Sequence, residues 1–287
     1  MIEDFFSTEY AKKSKFIWDF HRNKNIKEVN NWLIYSSIFD KWFHSKKPEN
    51  KKDLIPKKIH HIWLGEKKLP PYFEKFKKSW EKNNPDYEFF FWNDENIKNL
   101  NLINRELFYA IENKGSKSDI LRYEILYQYG GIYIDTDFEC IKGIPKELLK
   151  KSFVACMQFD YKPEIGNCLL MSEPGTKLMS SIIKGCSYPK YETVKNIIEK
   201  TGPVMITNQI NKFLESEKDN ILILPSNYCF PVPNFLRDLD SPRNLTTDDS
   251  FAIHKWGTTW IETNIQKKLN LKVNLILKSI KSFFKKN

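Results

Sequence analysis

Apolar positions recur along this chain at two periods, and the switches between them mark its elements. Before residue 54, Phe16, Ile17, Phe20, Val29, Trp32, Leu33 and Ser36 follow helical spacing and give way to the lysine-rich, turn-prone SKKPENKKD. That pattern predicts a helical extension over 1–53 joined by a solvated linker. KKIHHIWLG then reads as a short strand closed by glycine, and YFEKFKKSWEKNNP as an amphipathic helix stopped by Asn83, Asn84 and Pro85. YEFFFW is a second strand, followed by the polar turn NDEN. SKSDILRYEILYQY at 116–129 predicts a helix capped by Ser116, with Asp119 three residues on as in a capping box and Gly130 and Gly131 ending it. GGIYIDTD supplies the next strand, SFVACMQF, CLLMS and ILILP three more, and TGPVMITNQINKFLES opens a helix at Pro203. Alternating strands and helices imply a mainly parallel sheet covered on both faces, with ligands beyond the carboxyl ends of its strands. At the far end, Val273, Ile276, Leu277, Ile280, Phe283 and Phe284 share one helical arc opposite Lys272, Lys278, Lys281, Lys285 and Lys286.

With 287 residues the chain can bury one substantial core, and a single α/β domain is the favoured organisation. The five cysteines are scattered and include no CxxC pair, which disfavours a disulfide framework or a cysteine zinc site and fits a reducing compartment. Neither a signal peptide nor a run of eighteen apolar residues is recognisable, so a cytoplasmic location is expected. The net charge of +10 invites a nucleic-acid reading, but lysine supplies nearly all of it and is spread along the chain, so no nucleic-acid partner is expected. A basic protein that binds nucleic acid or glycan without turnover is the non-enzymatic alternative.

The chemistry concentrates in GGIYIDTDFECI at 130–141. In an extended strand Tyr133, Asp135 and Asp137 share a face, with the two carboxylates about 6 to 7 Å apart. At an effective dielectric near 20 their charges repel by about 2 to 3 kcal/mol. Four readings compete. Solvated carboxylates at a strand end are the plain one. A calcium loop fails, because Cys140 stands where glycine is needed and Lys146 where a bidentate acid is needed. An aspartate-nucleophile phosphotransferase places its DxD after the first core strand, whereas here two strands come earlier and Phe138-Glu139 follows. The fourth is a divalent cation held between the carboxylates and a nucleoside diphosphate, in an all-oxygen shell suited to Mn2+ or Mg2+.

The ordered set of IPKKIHHIWLG, SDILRYEILYQYGGIYIDTD, IGNCLL, TGP at 201–203 and HKWGTTW at 254–260 resembles the DxD-containing glycosyltransferases of family 32. It also resembles the glucosyltransferase domains of large clostridial toxins, over about 55 to 260. The resemblance implies a GT-A fold, an α/β Rossmann-like domain over 54–262, flanked by the helical extension and, over 263–287, a basic amphipathic helix. It also implies transfer of a hexose, with retention, from a nucleoside-diphosphate sugar, UDP-linked by the Trp63 and Arg122 pattern. Carried to this chain, it gives Trp63 to the base, with a core tryptophan as the other reading. Asp119 and Arg122, one helical turn apart on one face, go to the sugar and diphosphate, against an i, i+3 surface ion pair, and Tyr133 to a phosphate or ribose. Asp135 is assigned to hydroxyls or a metal-bound water, and Asp137 to the metal. His254 would complete the metal shell, against a hydrogen-bonded loop histidine, and Trp256 would touch the diphosphate. Asn167 would reach the donor sugar, against strand-end capping. The toxins' acidic ligand corresponds to Phe251, so the metal shell is expected to differ. Two acceptors are open: a glycan or lipid-linked saccharide in bacterial capsule or surface-polysaccharide synthesis, or a protein as for a toxin-like effector. The basic segment 270–287 would either hold the enzyme peripherally on the inner face of the membrane or pack as a terminal helix on the protein's own core.

Overall fold

The computed structural model describes residues 26–45, 52–159, 162–191, 193–217, 220–238 and 240–257. The expected amphipathic segment at 270–287 and the early apolar positions Phe16, Ile17 and Phe20 lie outside the described residues. In chain order the elements begin with α1 (Ile26–His44), β1 (Lys58–Ile62), α2 (Phe73–Asn83), β2 (Glu88–Trp92), α3 (Arg105–Ala110) and α4 (Lys114–Tyr129). There follow β3 (Gly131–Ile134), β4 (Phe138–Cys140), β5 (Phe153–Met157) and β6 (Ile165–Ser172). The last are α5 (Lys177–Gly185), α6 (Val194–Lys200), α7 (Pro203–Glu217), β7 (Ile221–Leu224) and β8 (Ala252–His254).

Among the described residues the main sheet has the strand order β2-β1-β3-β6-β5-β7. Its β1–β2, β1–β3 and β5–β7 pairs are parallel, while β6 is antiparallel to both neighbours. The sheet is therefore mainly parallel with one reversed strand. That reversal brings the start of β6 alongside the finish of β3, where Ile134 pairs with Leu169. Strands β3, β5 and β7 are buried throughout, as expected for a sheet covered on both faces. A small second sheet pairs β4 with β8, setting Phe138 opposite His254.

Helix α2 buries Phe73, Phe76 and Trp80 on one stripe, as its spacing predicts. The Trp80 indole N–H donates to the carbonyl of Phe138 at 3.0 Å, tying the helix to β4. Helix α1 is part of the core rather than a separate appendage. Its Trp32, Tyr35 and Phe39 are buried, Phe39 meets Tyr228 edge-on, and the Tyr35 hydroxyl donates to Asn211 of α7.

The capping of α4 differs from the expectation. The helix starts at Lys114, and the N-cap is Asn113, whose side chain accepts from the Ser116 N–H at 3.0 Å. The Ser116 hydroxyl is buried without a partner, and Asp119 faces the interior rather than closing a capping box. An asparagine caps as well as a serine, and nothing in the local sequence favoured one site over the other.

Candidate active site

β3 ends at Ile134, so Asp135, Thr136 and Asp137 form the turn into β4 rather than a continued strand. Strict alternation therefore does not set their directions. The turn is anchored on both sides: the Asp135 N–H donates to Cys168 of β6 at 2.8 Å, and the Asp137 carbonyl accepts from Lys255 at 2.9 Å. His61, buried on β1, stands 2.8 Å through Nδ1 from the Ile134 carbonyl and so fixes the last residue before the turn. Burial pushes its ring down to about 4, so it is neutral near pH 7 and donates from Nδ1.

Asp135 remains partly open to solvent, while Asp137 and His254 are buried. Oδ2 of Asp137 lies 3.1 Å from His254 Nε2 and accepts the Gly257 N–H at 2.6 Å. Burial would raise this carboxyl, but the charge and hydrogen bond of His254, with the Gly257 N–H, outweigh it and hold Asp137 below the ordinary carboxylate range. Asp135 goes the other way. Shielding from water and the neighbouring Asp137 charge push it up, against the opposing pull of Arg122. The like-charge tension expected of the pair is thus present, and the two acids meet it differently.

Beneath Asp135 lies Arg122, which is buried; its NH1 is 3.3 Å from Asp135 and donates to the Asn167 carbonyl at 2.7 Å. NH2 lies 3.1 Å from Asp119, Nε donates to the Ser118 carbonyl, and the guanidinium sits 4.4 Å over the Tyr133 ring. The Tyr133 hydroxyl donates to Asp135 in a short contact. Asp119 and Arg122 are indeed one helical turn apart on one face, as a buried pair rather than a surface one. Asp119 also accepts from Asn167 at 2.8 Å and from the Thr201 hydroxyl at 2.9 Å, which gives the TGP segment its local role. Burial raises the Asp119 carboxyl to about 6 against the pull of Arg122 and Thr201. The Asn167 amide also donates to the Tyr123 hydroxyl. Within this cluster Asp135 is partly open, while Asp137, His254, Arg122, Asp119, Asn167 and Tyr133 are buried around it.

Trp63 follows the end of β1, half-buried and outside the apolar core, with its indole N–H on the Lys67 carbonyl. His60, buried within β1, accepts the Trp92 indole N–H at Nδ1 and so donates from Nε2 to Gly130; it holds strands together. Trp256 packs 4.5 Å from His254 and parallel to Phe159, and its indole N–H donates to the Val232 carbonyl. Its φ of 58° is the left-handed region, an outlier for a bulky side chain. Thr258, Thr259 and Trp260 of the same motif lie outside the described residues. Sequence reasoning missed His61, Tyr123, Cys168 and Gly257. A register count would have found Cys168, directly across from Asp135.

A divalent cation suits these donors. A buried imidazole, His254, faces the Asp137 carboxylate through Nε2, and the Asp135 carboxylate is close by. The 3.1 Å between Asp137 and His254 is close to the spacing of adjacent donors on an octahedral ion, about 3 Å for bonds of about 2.1 Å.

The Asp-x-Asp turn at the strand ends of this mainly parallel sheet lies within a stretch that matches a glycosyltransferase model. Residues 70–154 match the family described as "Glycosyltransferase sugar-binding region containing DXD motif". That match spans 85 of the 287 residues and includes the Asp-x-Asp turn. It is 26% identical over 215 residues to "Uncharacterized glycosyltransferase L373" of Acanthamoeba polyphaga mimivirus, covering 72% of this chain and 84% of that protein. It is 27% identical over 225 residues to "Inositol phosphoceramide mannosyltransferase 1" of Schizosaccharomyces pombe, covering 73% of this chain but 63% of that one. Among solved structures, "PaToxG Glycosyltransferase" is similar at 20% identity, with a TM-score of 0.48 over 66% of this chain and 83% of that chain.

Proposed function

We propose that this chain transfers a hexose from a nucleoside-diphosphate sugar to a hydroxyl of a saccharide acceptor, with Mn2+ or Mg2+ at the Asp135–Asp137 turn. The observation that carries the reading is the convergence of Asp135, Asp137 and His254, from two distant segments, above the buried Arg122. Asp137 and His254 would hold the cation, with Asp135 beside them. When bound, it supplies positive charge to a departing diphosphate. The chain's own residues do the rest. Arg122, braced by Asp119, holds Asp135 in place and offsets its charge. His61 fixes the strand end, and the half-buried Trp63 offers a ring to the base. Trp256 reaches a diphosphate oxygen through its indole N–H only by releasing Val232. A uridine nucleotide and retention of configuration belong to the same reading, supported by the Trp63 and Arg122 pattern.

The fungal relative is named for a mannosyl transfer to inositol phosphoceramide, which supports a lipid-linked acceptor and adds a mannose donor to those worth testing. Cytoplasmic placement, with attachment to an inner membrane face through 270–287 in capsule or surface-glycan assembly, completes the proposal; a protein acceptor, as for the toxins, is the alternative. The test is release of nucleoside diphosphate from UDP- and GDP-hexoses with manganese and with chelator. Manganese-dependent release from one donor is expected. Activity that persists in chelator, or none with any donor, overturns the reading.

A further inference from the structure

The cation site carries a donor that sugar transfer does not require. In the β3–β6 ladder Ile134 pairs with Leu169, so the next position sets Asp135 opposite Cys168, and the Asp135 N–H to Cys168 carbonyl bond continues the ladder. A carboxylate oxygen of Asp135, the Cys168 sulfur and a ring nitrogen of His254 lie within 4.8 Å of one another. His254 is buried and its Nδ1 has no partner, while Cys168 is a free, buried thiol.

One carboxylate, one thiol and one imidazole form a mixed set that Mg2+ and Mn2+, which prefer oxygen, do not use in full, and that Zn2+ does. Three protein donors around a tetrahedral ion leave a single open position.

We propose that Cys168 joins Asp135 and His254 as the third donor of a site for a thiophilic divalent cation, of which Zn2+ is the type. The inference rests on reading this cluster as the cation site. On binding, the metal–sulfur bond replaces the S–H bond and the Cys168 proton passes to solvent. A cation held this way leaves too few open positions for a chelating diphosphate and displaces Mn2+ from the turn. Zn2+ thereby becomes an inhibitor of the transferase rather than its activator.

The test uses the full chain and Co2+ as a coloured substitute for Zn2+. The expected result is a near-ultraviolet thiolate-to-cobalt absorption band that Zn2+ abolishes and that Cys168→Ser lacks. Half-saturation by Zn2+, followed by competition with a chromogenic chelator, rises about tenfold or more in Cys168→Ser. Half-saturation by Mn2+ changes by less than about twofold, since Mn2+ does not depend on sulfur. Because serine is close in size to cysteine, circular dichroism and the melting curve identify a variant that folds, and Cys168→Ala is the second choice. A band that survives in the folded variant, or its absence from the native chain, overturns the proposal. These readouts need no sugar nucleotide: a band without donor turnover retains the site and removes the transfer reading, and turnover without a band does the reverse.

Discussion

Arg122 is the residue on which the site's electrostatics turn. It lies buried between Asp119 and Asp135, so neither carboxylate is left without a counter-charge. Removing it strands two shielded acids, and Arg122→Ala should lower stability by about 3 to 5 kcal/mol, read from chemical denaturation. Arg122→Lys keeps the charge but not the fork that reaches Asn167, Asp119 and Asp135 together, and should lose most activity. Asp137→Asn removes the carboxylate facing His254 and should reduce manganese-dependent turnover by about a hundredfold or more, read on protein shown to be folded by circular dichroism. Asp119 gives a pH signature. Its folded carboxyl keeps its proton to about 6, against 3.8 as an ordinary aspartate, so the folded chain binds the extra proton between those values. Its contribution to stability must therefore fall as pH rises through that window, by on the order of 3 kcal/mol, and stay flat outside it. The difference in unfolding free energy between the native chain and Asp119→Asn, followed from pH 3 to 7, should show that slope.

Among the elements, α4 separates what local sequence reveals from what it conceals. Its existence, its end at Gly130 and the one-face pairing of Asp119 with Arg122 follow from spacing alone. Its start does not, because Asn113 and Ser116 are both good caps and only the packed helix selects between them. Asn113→Ala should cost about 1 kcal/mol, whereas Ser116→Ala, which removes a buried hydroxyl with no partner, should be neutral or mildly stabilising. Thermal melts of the two single variants decide the assignment. The strands were legible for a similar reason: EFFFW and ILIL are largely apolar runs bounded by turn residues, and IHHI belongs to a β-rich run closed by Gly65. The length of β3 was not, because Asp135 can extend a strand or open a turn. What closes the strand is tertiary, the His61 ring on Ile134 and the antiparallel β6 beside it.

For the whole molecule, the segment before residue 54 reads in sequence as an extension, yet α1 places Trp32, Tyr35 and Phe39 in the same core as edge strand β7. A helix pattern shows that a face is apolar and says nothing about which surface receives it, and that is why this docking was invisible. Trp32→Ala should destabilise the domain as a unit, by about 3 to 5 kcal/mol, with one cooperative transition retained in calorimetry. The convergence of Asp137 with His254 was likewise legible only as a shared motif, since more than a hundred residues separate two positions that β4 and β8 join. The direction of β6 also decides which surface lies beside the acidic turn. Its opening residues are delivered to the reaction centre by the hairpin from β5, whose neck is clasped by Gln158 and Glu164 and whose Phe159 stacks on Trp256. A substitution at Gln158 or Glu164 that opens the clasp would alter the surface around Trp256 while the two acids stay where they are. The acidic turn and the wall beside it can therefore vary independently.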